Sequence, residues 1–130
     1  MPNENNTRPK NILVVDANAD YRSLVRCYLE RLRYPAPGEA RDGEEALHMA
    51  LTQPPGLIVM EVALPRLHGY ELLRRLRENP GTRHAWTVAA TAMALPGDRE
   101  KCLASGFDSY LAKPFTLEEF ARMLHSVFPA

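Results

Sequence analysis

Four polar side chains stand at or just beyond the ends of short apolar runs. Asp16 follows Asn11 to Val15, Glu61 follows Leu57 to Met60, Thr91 closes the run from Trp86, and Lys113 follows Tyr110-Leu111-Ala112. The set holds two carboxylates, a hydroxyl and an ammonium. Lys113 can pair permanently with Glu61, and Thr91 can donate a hydrogen bond to one of its oxygens. The alternative is an inert Glu61–Lys113 ion pair that only holds the pocket shut, because a buried pair alone is weak evidence of stability or function. Thr91 could equally cap its strand, and Tyr110 could be plain core.

The elements that must position these groups alternate along the chain. Asn11 to Val15 has strand length and β-branched residues suited to burial on both faces. Tyr21, Leu24, Val25, Tyr28, Leu29 and Leu32 recur at helical spacing, with Asn18 or Asp20 available as N-cap. In YPAPGEA, Pro35 and Pro37 remove two ladder donors, so this strand belongs at an edge, with Ala36 expected to pair inward. Asp42-Gly43 opens a short helix over 44–51, which Pro54-Pro55-Gly56 ends. A strand over 57–60, a helix from Gly69 to Asn79-Pro80-Gly81, and a strand over 86–91 follow. A helix from about Asp98 to Ala104 closes at Gly106. After a last strand at 110–112, Thr116 and Glu119 form a capping box for a helix with Leu117, Phe120, Leu124 and Val127 on its apolar stripe. Five strand-then-helix repeats specify a parallel sheet covered by helices on both faces, with ligands at the carboxyl ends of the strands.

The 130 residues suit one domain, with residues 1–10 expected as a flexible polar tail and 11–128 as the folded unit. Lys plus Arg and Asp plus Glu both number 16, which gives no field to gather nucleic acid or anionic membrane. A protein partner or small ligand fits better. The polar start and the lack of a long apolar run point to a cytoplasmic protein. Cys27 and Cys102 are expected to be reduced, buried and on opposite faces of the sheet. His48, His68, His84 and His125 show no ligand spacing.

ILVVD, DGEEAL, the Leu64-Pro65 pair followed by Gly69, the Arg-Leu-Arg of the third helix, Ala-Thr-Ala and YLAKPF occur in order and spacing that resemble the receiver domain of two-component response regulators, from Asn11 to Val127. The resemblance implies a flavodoxin-like (βα)5 doubly wound sheet in strand order 2-1-3-4-5. It also implies an acid pair after the first strand and an aspartate after the third, binding Mg²⁺ while the aspartate accepts a phosphoryl group. Asp16 matches the first acid, but Ala17 stands where the second should be and Glu61 where the phosphoacceptor should be. Thr91 and Lys113 match the groups that grip the phosphoryl group, and Tyr110 the aromatic that swings with it. His68 stands where an acid is common.

The expectation is an atypical receiver, not an enzyme, acting as a protein-interaction module for a histidine kinase or downstream effector. Mg²⁺ is expected to be absent or weakly bound. Glutamate reaches ~1.5 Å farther than aspartate, toward the place of a phosphoryl group, so Glu61 can mimic the phosphorylated state. Two alternatives stay open: a working phosphorelay receiver with weak metal binding through Asp16 and Glu61, and a dimerisation module using the face of the fourth helix, fifth strand and fifth helix. Phe128-Pro129-Ala130 ends where a receiver normally ends, which is compatible with a stand-alone chain or one cut from a larger regulator.

Overall fold

A computed structural model describes residues 7–129. Its elements run β1 (Ile12–Val15), α1 (Ala19–Arg31), β2 (Gly38–Ala40), α2 (Gly43–Thr52), β3 (Leu57–Met60), α3 (Gly69–Glu78), β4 (Trp86–Thr91), α4 (Asp98–Ala104), β5 (Ser109–Ala112) and α5 (Leu117–Val127). All four strand pairings are parallel and the order is β2-β1-β3-β4-β5, the flavodoxin-like arrangement expected.

Successive residues of a strand face opposite sides of the sheet, and the two cores follow that alternation. Leu13, Val15, Ile58 and Met60 pack with Ala46 and Ala50 of α2, Leu72, Leu73 and Leu76 of α3, and Cys102 of α4. On the other side Ile12, Val14, Leu57 and Val59 pack with Val25 and Leu29 of α1 and Phe120, Leu124 and Val127 of α5. The central strands β1 and β3 are buried along their whole length.

Side chains in the turns set the helix starts. Asn18 caps α1 by accepting from the Asp20 and Tyr21 N–H groups, Asp42 caps α2, and Thr116 with Glu119 forms the capping box of α5. Gly69 is required by a close approach. Its N–H donates to Val62 O at 2.8 Å, and a Cβ there would lie 2.7 Å from Val62 Cα. This contact pins the chain just beyond β3.

At the opposite end of the sheet, the Arg77 guanidinium donates to the carbonyls of Arg83, Ala85 and Gly106, to Thr87 Oγ1 and to Asp108 Oδ2. Beside it, Trp86 at the start of β4 donates from Nε1 to Ser109 Oγ at 2.9 Å.

Two local expectations change. The edge strand begins only at Gly38, so Ala36 lies outside the ladder, whose first pair is Leu13 with Gly38. The two prolines precede the strand, where no ladder donor is required of them. Cys27 is exposed, whereas Cys102 is buried as expected. Position 27 lies off the α1 stripe that supplies Val25 and Leu29 to the core. Residues 1–6 of the expected tail lie outside the described residues. Of its remainder, Pro9 is buried, and Arg8 lies 4.2 Å over the Tyr34 ring while donating to the Leu32 and Arg33 carbonyls.

Candidate functional site

The backbone continues its ladder through the residues that end the strands. Asp16 N–H donates to Ala40 O, Glu61 N–H to Val15 O and Lys113 N–H to Thr91 O. Each polar side chain is thus launched from a fixed point at the carboxyl edge, and Asp16, Glu61, Thr91 and Lys113 come together there. Asp16, Glu61 and Thr91 are buried.

Lys113 is the centre of the cluster. Its Nζ donates to Glu61 Oε1 at 3.0 Å and to Asp16 Oδ2 at 2.7 Å, and lies 4.1 Å from the centroid of the Tyr21 ring. Asp16 uses its other oxygen, Oδ1, to accept from the Asn18 N–H at 2.9 Å. Glu61 turns back over the chain that follows it. Oε2 accepts from the Val62 N–H at 2.6 Å and the Ala63 N–H at 3.2 Å, and Oε1 accepts from the Ala92 N–H at 3.3 Å as well as from Lys113. Three backbone N–H groups and the ammonium therefore converge on one carboxylate.

Burial alone would raise the Glu61 pKa, but the Thr91 hydroxyl, the Lys113 ammonium and the Ala63 N–H outweigh it and hold the group below the ordinary glutamate range. Burial alone would lower the Lys113 pKa, yet its hydrogen bonds to Asp16 and Glu61 raise it above the usual lysine value. Both groups are charged at neutral pH.

The segment after β4 is tied to the same cluster. Thr91 Oγ1 accepts from the Met93 N–H at 3.1 Å, and the half-buried Tyr110 donates from its hydroxyl to Met93 O at 2.7 Å. Ala92, Met93 and the Glu61 carboxylate form one connected network, and Tyr110 joins it through the backbone rather than by touching Glu61. Ala17 is exposed and brings only a methyl group. His68 caps α3, its Nδ1 accepting from the Tyr70 N–H.

Sequence reasoning paired Lys113 with Glu61 alone and missed that Asp16 shares the ammonium. It read Tyr21 only as part of the α1 apolar stripe. The available signal was an aromatic ring in the first helical turn after Asp16. The Val62, Ala63 and Ala92 N–H groups leave no trace in residue type. Just before β5, Asp108 accepts from Arg77 and from the Thr87 N–H, so its charge is engaged within the domain.

The response regulator receiver domain family matches residues 12–125. This chain belongs to that family. The receiver is 32% identical over 118 residues to the polar-differentiation response regulator DivK of Brucella anthropi, covering 91% of this chain and 95% of that protein. Among solved structures it resembles the receiver domain of the sensor histidine kinase PA1611 from Pseudomonas aeruginosa PAO1, with 37% identity and a TM-score of 0.79 over 88% of this chain and 93% of that one. That structure has a magnesium ion coordinated in its active-site cleft. The chemotaxis protein CheY4 of Vibrio cholerae superposes with a TM-score of 0.81 at 25% identity, over 95% of this chain and 100% of that one. Receivers are signalling modules that interact with kinases or effectors. Among the described residues, no helix is long and apolar enough to cross a membrane.

Proposed function

We propose that this receiver is an atypical one that signals by protein interaction without the usual Mg²⁺-dependent phosphorylation, with Glu61 as a built-in mimic of a phosphorylated aspartate. The supporting observation is the set of donors on its carboxylate: the Val62, Ala63 and Ala92 N–H groups and the Lys113 ammonium. Preorganised N–H groups and an ammonium around a buried anion are what a phosphoryl oxygen would also require. Here a side-chain carboxylate has them already. The network to Met93 and Tyr110 gives that anion a route to the surface.

The donor set does not fit Mg²⁺. The ion takes near-octahedral oxygen ligands at about 2.0–2.1 Å. Ala17 supplies no oxygen, both Asp16 oxygens are engaged, and the two acids share Lys113. Among the described residues, no group of three or more His, Cys, Asp or Glu side chains is placed to hold a metal. A phosphorelay reading with weak metal binding through Asp16 and Glu61 would need that shared ammonium displaced.

A cytoplasmic setting and a histidine kinase or effector as partner go with this reading, and the balanced charge favours no direct nucleic-acid contact. The test is incubation with acetyl phosphate and millimolar Mg²⁺ followed by intact-mass measurement. The mass is expected to stay unchanged; a phosphoryl adduct on the unmodified protein refutes the proposal.

A further inference from the structure

Lys113 is held on three sides, by Asp16, by Glu61 and by the face of the Tyr21 ring at 4.1 Å. An aromatic face attracts an ammonium through its quadrupole, more strongly when water is excluded. The side chains of Lys113, Asp16 and Glu61 are only 11%, 10% and 10% exposed. Two carboxylates against one ammonium leave a single net negative charge, too little to balance a divalent ion. Removing the ammonium would leave two.

We propose that the Lys113 ammonium is the resident cation of the acidic cleft, that the Tyr21 ring holds it there, and that this occupancy excludes divalent cations. The proposal rests on the phosphorylation-independent reading but assigns the exclusion to a cause beyond the missing acid at position 17. Tyr21 acts through Lys113 and is a positioning residue. Its ring matters, not its hydroxyl, because the ammonium lies over the ring centroid.

The experiment titrates the whole protein with Mn²⁺ alone and follows paramagnetic broadening of the amides at 16–18 and 61–63. In parallel, the ¹⁵N ammonium signal of Lys113 is recorded. The unmodified protein and Tyr21→Phe are expected to show no selective broadening at millimolar Mn²⁺ and to keep a slowly exchanging ammonium signal. Lys113→Met is expected to bind Mn²⁺ roughly tenfold or more tightly than the unmodified protein, since it removes the competing charge. Tyr21→Leu should fall between them and lose the slow ammonium signal. If Lys113→Met does not fold in the absence of metal, Tyr21→Leu decides the matter.

Selective broadening in the unmodified protein overturns both the exclusion by Lys113 and the phosphorylation-independent reading on which it rests. A silent unmodified protein with an equally silent folded Lys113→Met overturns only the resident-cation proposal. Tyr21→Leu behaving as the unmodified protein overturns the role of the ring.

Discussion

Replacing Glu61 by Gln keeps the shape of the side chain and removes its charge. The carboxylate accepts on both oxygens, from Val62 and Ala63 on one and from Ala92 and Lys113 on the other. An amide has one oxygen, so its NH₂ must face one of these donor pairs. Ala63 and Ala92 are exposed and water can serve their N–H groups, but Val62 is buried. The amide oxygen should therefore stay on Val62 and Ala63, and its NH₂ should face Lys113. The loss is then one charge-assisted hydrogen bond in a site shielded from water, moderated because Lys113 keeps Asp16 at 2.7 Å. Charge-assisted bonds contribute about 1.5–3 kcal/mol, and breaking a buried pair outright costs about 3–5, so a destabilisation of about 2–3 kcal/mol is expected. For a domain of this size that lowers Tm by roughly 10 °C. Urea unfolding at pH 7 measures the free energy, and amide shifts at Val62, Ala63 and Ala92 locate the change. A loss below about 0.5 kcal/mol, with the Ala92 amide unmoved, would refute the claim that Glu61 and Lys113 are energetically coupled.

The same variant makes a prediction about pH. The folded Glu61 pKa is lowered, so its contribution is fully present above the ordinary glutamate range and fades as pH falls through the lowered value. On the acid side the stability gap to Glu61→Gln should close within that window. The raised Lys113 pKa keeps the gap open up through the ordinary lysine range, and pH-dependent urea midpoints test both ends. Glu61→Asp alone should remain unphosphorylated by acetyl phosphate, whereas Glu61→Asp with Ala17→Asp should regain both Mg²⁺ binding and a phosphoryl adduct by intact mass; an adduct on the single variant would show that position 17 is not limiting. In native buffer a thiol reagent should modify Cys27 promptly and Cys102 only on unfolding, so two fast equivalents would contradict the buried placement of Cys102.

Where turn chemistry brackets a segment on both sides, the sequence was sufficient to delimit the element. β3 lies between Pro54-Pro55-Gly56 and Glu61, α4 between Pro96-Gly97 and Gly106, and both occupy the expected residues. β2 was harder, because Pro35 and Pro37 are compatible both with an edge strand and with the segment leading into one. At the site, residue types at strand ends were enough to gather Asp16, Glu61, Thr91 and Lys113. How they pair was not legible. Lys113 reaches Asp16 across 97 positions of chain, and its choice between two acids depends on side-chain torsions that no spacing encodes. The N–H groups that cradle Glu61 belong to Val and Ala residues, whose side chains say nothing about where their amides point.

Trp86, the single tryptophan of the chain, has a further use. It sits at the first residue of β4, while Thr91 is the last, so at about 3.3 Å per residue some 16 Å of strand separate the indole from the acidic cluster. Its emission is a spectroscopic reporter of whether the domain is folded, placed beyond direct contact with the cleft. A fluorescence change on altering Glu61, Lys113 or Tyr21 without unfolding would therefore mean that the perturbation had travelled the length of β4.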